Sequence, residues 1–210
     1  MKKTIAIIGA GFGISKATAL YFGKNGYSVL LIGRTTEKLK TVVDDLKSEA
    51  IEADFLVADV ANVTELSNAL HAVKNLSVLH YNAFAARATN ILNETEEFLL
   101  NDFKVNVVGL LTAVKVCLPS LENNSGSILV TGGGLSKYPH PDYASLSIGK
   151  AAQANLANSL SQALSPKNIF VGLLQINGFV NEQDATYNPA NIAARLWEIN
   201  TQRTDFENII

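Results

Sequence analysis

The chain has 210 residues, of which 48% are hydrophobic and 17% charged, and its formal net charge is -2 at pH 7. This composition predicts a well-buried globular protein with one domain, covering residues 1–210. A net charge near zero gives no general attraction to nucleic acid or to an anionic membrane, so we expect neither as a partner. The single cysteine, Cys117, excludes an internal disulfide and lies in an apolar run typical of a packed thiol.

The N-terminus resembles a signal peptide in having two lysines before a short apolar run. The run breaks at Gly9, however, and a helical pattern follows it, so we interpret it as a first strand. No stretch reaches the roughly 18 to 20 apolar residues that a membrane helix needs. We therefore expect a cytoplasmic protein.

The first 33 residues predict a strand, a glycine turn, a helix and a second strand. An apolar run at residues 5–8 stops at Gly9, glycines return at Gly11 and Gly13, and a second apolar run covers residues 27–33. A helix N-terminus offers unpaired N–H groups and a partial positive charge, which suit a phosphate. Glycines let a pyrophosphate approach the backbone closely, and about 30 residues is the length of a dinucleotide-binding unit.

Strand-like and helical segments alternate along the rest of the chain. Further strands are predicted at residues 51–58, 76–81, 127–131 and 169–176. Helices are predicted at residues 35–49, 62–74, 95–118, 145–164 and 188–199. Pro119 follows the third of these helices, and Asn62 or Thr64 is the candidate N-cap of the second. Strands that are apolar on both faces predict an α/β protein with a doubly wound parallel sheet, a Rossmann-type three-layer α/β/α fold.

Ligands of such folds bind at the carboxyl ends of the strands, near the point where the strand order reverses. The polar and glycine-rich segments of this chain fall at those ends. They are residues 9–13, 33–34, 59, 82–83, 131–134 and 177–178.

Several of these segments match motifs of one family in order and spacing. Residues 9–15, GAGFGIS, resemble a TGxxxGxG turn in which Ser15 takes the place of the last glycine. Asp59 and Val60 follow the third strand, and Asn82 and Ala83 keep the centre of an NNAG motif. Asn106 in the long helix and Lys150 before two alanines complete the series. Over nearly the whole chain, the pattern resembles the short-chain dehydrogenase/reductase family.

The resemblance implies a nicotinamide dinucleotide cofactor and a role for each matching residue. The pyrophosphate turn would be formed by Gly9, Gly11, Phe12, Gly13 and Ile14. Asp59 and Val60 would contact the adenine, Asn82 and Ala83 the ribose side, Lys150 the nicotinamide ribose and Gly178 the nicotinamide amide. Asn106 matches the asparagine that holds a proton-relay water in the family. The resemblance implies no metal.

The end of the second strand bears on the choice of cofactor. NAD-selective sites place an acidic residue there to bind the ribose 2′-hydroxyl, whereas this chain has Arg34, Thr35 and Thr36. An arginine offers a planar, permanently charged donor group for a 2′-phosphate, and the threonine hydroxyls and Lys38 could add donors. The sequence therefore favours NADP over NAD.

Two of the family's usual catalytic residues do not match. The family places a tyrosine four residues before the lysine, on the same helix face, where the ammonium lowers the tyrosine pKa. Leu146 stands at that position here, and Gly133 stands where a serine usually polarises the carbonyl. Lys150 and Asn106 remain.

Three explanations stay open. Tyr143, seven residues before Lys150 and about 10 Å away along a helix, could act as the proton donor. Other groups between residues 136 and 147, or Thr131, could act instead; the candidates are Tyr138, His140, Asp142, Ser145 and Ser147. Alternatively, the protein binds a nucleotide without ordinary catalysis, as a regulatory or interaction protein.

The glycine run 132–134 could leave space for a bulky substrate and offer three N–H groups to an oxyanion, or it could be an ordinary flexible loop. The polar segment 181–188 lies where the family carries a substrate lid, but it is short, which predicts an open pocket. Trp197 is expected to be a packing or interface anchor, and the tail after it carries no recognisable motif.

These patterns together predict an NADP(H)-dependent oxidoreductase for a small carbonyl or alcohol substrate, with an atypical active site. The alternative is a catalytically impaired regulatory protein on the same fold. The resemblance also implies a homodimer or homotetramer that packs through helices 95–118 and 145–164, where small residues such as Ala113 and Ala154 permit close approach.

Overall fold

The computed structural model describes residues 2–210 and contains one sheet of seven strands that are all parallel. The strands are β1 (Thr4–Ile8), β2 (Ser28–Gly33), β3 (Ala53–Val57), β4 (Leu76–Tyr81), β5 (Ser127–Thr131), β6 (Phe170–Gln175) and β7 (Glu207–Ile209). Their order in the sheet is β3-β2-β1-β4-β5-β6-β7. The predicted doubly wound α/β fold is confirmed.

Helices cover both faces of the sheet. They are α1 (Ile14–Lys24), α2 (Thr36–Ser48), α3 (Val63–His71), α4 (Glu96–Phe103), α5 (Gly109–Asn123), α6 (Ala144–Leu164) and α7 (Pro189–Gln202). Successive side chains of a strand point to opposite faces. In β1, Ala6 and Ile8 join one hydrophobic core while Ile5 and Ile7 join the other, and all four are fully buried. The apolar composition of the central strands thus supplies two cores from one sheet.

The strand order reverses between β1 and β4. β1 pairs with β2 on one side and with β4 on the other, so the ends of β1 and β4 lie next to each other, with Ile8 opposite Tyr81. A crevice at the carboxyl ends of the strands forms at such a reversal. The fold therefore brings the glycine turn after β1 next to the segment that begins at Asn82.

The predicted helix 95–118 differs from the structure in two ways. A π-helical segment, Lys104–Val108, separates α4 from α5, and α5 continues past Pro119 to Asn123. Proline lacks an N–H and usually ends a helix, but tertiary contacts hold the next turn here. Leu121 is fully buried, and the Ser120 hydroxyl accepts a hydrogen bond from the Leu76 N–H at 3.0 Å. Packing thus overrides the local signal.

The structure also defines the N-cap of α3, the tail after α7 and the packing of Trp197. Asn62, not Thr64, caps α3, because its side chain accepts hydrogen bonds from the N–H groups of the first turn. The tail after α7 forms β7, an edge strand of three residues that is too short to show a periodic pattern. Trp197 packs edge-on against Phe22, with ring centroids 5.1 Å apart, as expected of a packing anchor.

The helical stretch Glu96–Asn123 has the length and mean hydropathy of a membrane span, although the sequence alone indicated no such segment. A helix that packs in the core of a globular protein passes the same test. In this fold its inner face, including Leu110 and Val114, is buried in the core over the sheet.

Gly109 at the start of α5 shows how closely this helix approaches β4. A Cβ at this position would overlap the Tyr81 hydroxyl and lie 3.0 Å from the Val60 carbonyl oxygen. Alanine normally stabilises a helix by about 1 kcal/mol relative to glycine. We expect Gly109→Ala instead to lower the free energy of unfolding by about 1–3 kcal/mol, because the new methyl group overpacks the site.

Urea denaturation measures this change. Lys115→Ala, on the exposed face of the same helix, is the control and should stay within about 0.5 kcal/mol of the parent. Stabilisation by Gly109→Ala would contradict the close contact between α5 and β4.

Candidate functional site

The turn between β1 and α1 forms an open backbone cradle. Gly9 has φ +82°, and a Cβ on it would overlap the backbone of Ala83, so only glycine fits there. At Gly11 and Gly13, by contrast, a Cβ would meet no atom within 4 Å. Gly13 is the N-cap of α1 and no side chain caps this helix end. The first N–H groups of α1 are thus accessible beside open space, as an anionic ligand requires.

Ser15 connects this turn to the end of β4. It is buried, its hydroxyl donates to the Gly9 carbonyl at 3.0 Å, and it accepts a hydrogen bond from the Asn82 side chain at 3.1 Å. The serine that replaces the last glycine of the motif therefore fixes the turn instead of disturbing it. In the sequence alone, Ser15 is visible only as a departure from the glycine motif.

Arg34 and Thr35 lie beside the cradle at the end of β2. A Cβ on Gly33 would be 3.3 Å from the Ala10 carbonyl oxygen, which shows how close the two segments are. Both Arg34 and Thr35 are exposed, and Thr35 is the N-cap of α2 without a side-chain hydrogen bond to it. Within residues 2–210, no hydrogen bond or ion pair involves the Arg34 guanidinium.

Asp59 and Val60 follow β3 on the same edge of the sheet. The Asp59 carboxylate accepts a hydrogen bond from the Ala61 N–H at 2.9 Å, and the Asp59 N–H donates to Glu65 at 3.1 Å. Val60 is buried. Asp59 therefore stabilises the turn that leads into α3, and its side chain is only partly available to a ligand.

Asn106 fixes the loop after β4. It is fully buried, and its carboxamide accepts from the Ala85 N–H at 3.0 Å and donates to the Ala85 carbonyl at 3.3 Å. Asn106 lies within the π-helical segment, a distortion that often occurs at functional sites. Its own carbonyl accepts a hydrogen bond from Gln153 at 2.9 Å.

Lys150 is buried, unlike most lysines on helices. Its ammonium donates to the Thr131 carbonyl at 2.7 Å and to the Gln153 side chain at 3.0 Å, and the Phe84 ring centroid lies 5.9 Å away. Burial lowers the pKa of Lys150 to about 8. A buried lysine that is held in place and has a lowered pKa is typical of a functional site.

Tyr143 immediately precedes α6, so the helix does not start later than expected. Tyr143 is 38% exposed, and its hydroxyl has no hydrogen-bond partner among the residues that the structure describes. An isolated bridge to Thr89 and a hydrogen bond from the Ser147 hydroxyl to the Tyr143 carbonyl hold its backbone. Seven residues separate Tyr143 from Lys150, which is about 10 Å along the helix.

Most of the other candidate groups near Tyr143 have structural partners. Ser145 donates to Asp102 at 2.6 Å, and Asp142 accepts from Asn90 at 2.7 Å. The Thr131 hydroxyl contacts the His80 ring at 2.9 Å. Ser147 donates to the Tyr143 carbonyl at 2.8 Å, and the His140 Nδ1 accepts a hydrogen bond from the Asp142 N–H at 3.2 Å. The remaining candidates are Tyr138, which is 74% exposed, and the His140 Nε2, on a ring whose centroid is 5.8 Å from that of Tyr143.

The glycine run after β5 offers no free N–H groups, so the oxyanion hypothesis for it is wrong. The N–H groups of Gly132 and Gly134 donate to β6 and the residue after it, at 2.8 Å to Leu174 and 3.0 Å to Ile176. The Gly133 N–H donates to the Gln175 side chain at 2.7 Å. The pairing with β6 continues beyond β5 and uses all three donors.

Gly178 lies under a ring from the short polar segment. A Cβ on Gly178 would overlap the Tyr187 ring. Asp184 organises this segment by accepting hydrogen bonds from the N–H groups of Tyr187 at 2.7 Å and Thr186 at 2.8 Å, which lower its pKa. The segment 181–188 is therefore a folded turn beside the end of β6.

An ion-pair cluster that the sequence did not indicate supports the Tyr143 segment. The Arg87 guanidinium contacts Asp102 at 2.9 Å and Glu94 at 2.7 Å, and it lies 4.5 Å from the Phe98 ring centroid. Asp102 also accepts from Ser145 at the start of α6. The cluster thus connects the loop after β4 to α4 and α6. Residues this far apart in sequence give no local signal.

The chain is similar to known dehydrogenases over most of its length. A family model described as short chain dehydrogenase matches residues 3–189. An uncharacterized oxidoreductase of Thermotoga maritima is 28% identical over 204 residues, which cover 92% of this chain and 80% of that protein. In three further relatives the matched region covers 55% to 65% of the relative's length.

Solved structures of dehydrogenases share this fold. A short-chain dehydrogenase from Rhodopseudomonas palustris is 25% identical and superposes with a TM-score of 0.89 over 99% of this chain and 97% of its own. A metagenomic short-chain oxidoreductase solved in complex with NADP has a TM-score of 0.89 at 21% identity, over 99% and 96% of the two chains. At 21% identity, the similarity to the metagenomic protein shows only that the two chains share a fold.

The two glycines after β5 should respond differently to the same substitution. A Cβ on Gly133 would meet only the Ile176 carbonyl oxygen at 3.8 Å, whereas one on Gly132 would overlap the Gln175 side chain. Gly133→Ser should therefore stay within about 0.5 kcal/mol of the parent. Gly132→Ser should lose about 1–3 kcal/mol through overpacking. Chemical denaturation measures both, and equal losses would contradict this geometry.

Proposed function

This chain belongs to the short chain dehydrogenase family, and from that premise we propose that it is an NADP(H)-dependent oxidoreductase for a small carbonyl or alcohol substrate. One observation carries the choice of cofactor. Arg34 is exposed, has no side-chain partner within residues 2–210, and follows Gly33, which closely approaches Ala10 of the glycine cradle. A phosphate on the adenosine ribose would meet a permanent positive charge there.

The residues present fit a dinucleotide. The open faces of Gly11 and Gly13 and the uncapped N-terminus of α1 would hold the pyrophosphate. Asp59 and Val60 would lie beside the adenine, and Asn82 on the ribose side. When bound, the nicotinamide supplies or takes up the hydride. The metagenomic oxidoreductase with the same fold was solved with NADP, which supports this cofactor class for the fold.

In this proposal, Lys150 binds the cofactor and Tyr143 transfers the proton. The Lys150 ammonium has one N–H beyond the two hydrogen bonds it makes, and we assign this donor to a ribose hydroxyl. Reduction of a carbonyl adds a hydride to carbon and a proton to oxygen. Tyr143 would give that proton from its free hydroxyl and recover it from solvent, to which its ring is exposed.

The second candidate function is nucleotide binding without turnover. Leu146 and Gly133 favour it, because a leucine and a glycine cannot donate or accept a proton through their side chains. The buried Lys150 favours the enzyme, since burial of an ammonium without an ionic partner costs free energy. Binding of NADPH with no turnover on a panel of aldehydes, ketones and quinones would select the regulatory function.

Arg34 should control the preference for NADPH over NADH. A charge-assisted hydrogen bond is worth about 1.5–3 kcal/mol, so Arg34→Ala should weaken NADPH binding by about 10- to 100-fold. NADH affinity should not change, because NADH lacks the 2′-phosphate. Calorimetric titration of each cofactor measures both constants. Lys40→Ala, exposed on α2, is the control. An equal loss for both cofactors, or no loss, would refute the assignment.

Tyr143 should affect turnover without affecting cofactor binding. Tyr143→Phe removes only the hydroxyl, so we expect kcat to fall roughly 100- to 10,000-fold, the usual contribution of a general acid. The NADPH dissociation constant should remain that of the parent. Tyr138→Phe removes the hydroxyl of the other candidate tyrosine, which is 74% exposed, and should keep the turnover of the parent. Unchanged turnover in Tyr143→Phe would remove Tyr143 as the donor and leave His140 as the next group to replace.

A further inference from the structure

The Lys150 ammonium has two fixed partners, and one of them is a side chain. It donates to the Thr131 backbone carbonyl at 2.7 Å and to the Gln153 Oε1 at 3.0 Å. Residues three apart lie on the same face of a helix, so Gln153 can reach Lys150 without any distortion of α6. Both side chains are buried, and Gln153 has no solvent-exposed surface.

The opposite end of the Gln153 carboxamide is fixed as well. Its Nε2 donates to the Asn106 carbonyl at 2.9 Å. Asn106 belongs to the π-helical segment between α4 and α5, and its side chain clamps the loop after β4 through Ala85. The carboxamide therefore spans the gap between the ammonium on α6 and the segment that shapes the cleft.

No charged group competes with Gln153 for this ammonium. No carboxylate forms an ion pair with Lys150 within residues 2–210. From β4, His80 faces Thr131, and burial lowers the pKa of His80 to about 3, so it is neutral near pH 7. Burial raises the pKa of Tyr81, which is also neutral. From α4, Asp102 is paired with Arg87.

From these contacts we propose that Gln153 is a positioning residue for Lys150. Its carboxamide fixes the ammonium between β5 and Asn106, and it leaves a single N–H for a ligand in the cleft. Gln153 is the one side chain that accepts a hydrogen bond from this ammonium in the described structure. The identity of the ligand rests on the proposed function, but the positioning of the Lys150 ammonium by Gln153 does not.

The proposal predicts opposite effects for two substitutions. Gln153→Met keeps the length of the side chain but removes an acceptor, which disfavours the charged lysine. Gln153→Glu places a carboxylate beside the ammonium, which favours the charged form. The free energy of a hydrogen bond to a charged group corresponds to a pKa change of about one to two pH units. The Lys150 titration midpoint should therefore fall by about that amount in the first variant and rise in the second.

The experiment is an NMR titration of the 210-residue chain with ¹³C-labelled lysine, followed through the Cε signals. Lys150→Met identifies the Lys150 signal by its loss. Gln162→Met is the matched control, because Gln162 lies on the same helix, is exposed and bonds only to Asn158. The midpoint of Lys150 should not move in this control. The titration uses the protein without any added cofactor or substrate.

Three outcomes would overturn the proposal. Midpoints that are unchanged in both Gln153 variants would mean that the glutamine only packs, and so would shifts of the same sign. An equal shift in Gln162→Met would assign the effect to the helix as a whole. If Gln153→Met fails to fold, the sign of the shift in Gln153→Glu still decides. Failure of NADPH to bind the parent would refute the proposed function while leaving the titration result intact.

Discussion

The close approach of Gly9 to Ala83 is the constraint on which the rest of the site depends. Parallel pairing of β1 with β4 brings their ends together, and the turn after β1 passes over Ala83 with no room for a Cβ. Ser15 then joins the turn to Asn82. Hydrogen bonds and close packing therefore join the cradle, the loop after β4 and the start of α1 into one unit.

A second hydrogen-bonded unit joins two buried side-chain amides to Lys150. Asn106 holds the loop after β4, Gln153 joins Asn106 to Lys150, and Lys150 joins the end of β5. Buried polar groups are costly unless they are paired, and here each of these side chains finds partners. The Asn106 carbonyl belongs to the π-helical segment and accepts its hydrogen bond from Gln153 on α6.

Sequence patterns predicted the features that depend on local order. Apolar runs predicted β1 to β6, and the spacing of Gly9, Gly11 and Gly13 predicted the turn. The features that depend on contacts between distant residues could not be predicted in this way. The helix passes Pro119 because Leu121 and Ser120 pack on β4, and the N–H groups of the glycine run are taken by β6. Gln153 acquires a role only when the fold brings Asn106 next to Lys150.

Lys150 is held without any contribution from the residue four positions before it, because Leu146 stands there. A buried ammonium needs acceptors, and in this chain the amide of Gln153 and a backbone carbonyl supply them. Tyr143 lies at the exposed start of α6, and the Arg87 cluster and the bridge to Thr89 support its segment independently of Lys150. Lys150 and Tyr143 are thus held by separate sets of contacts.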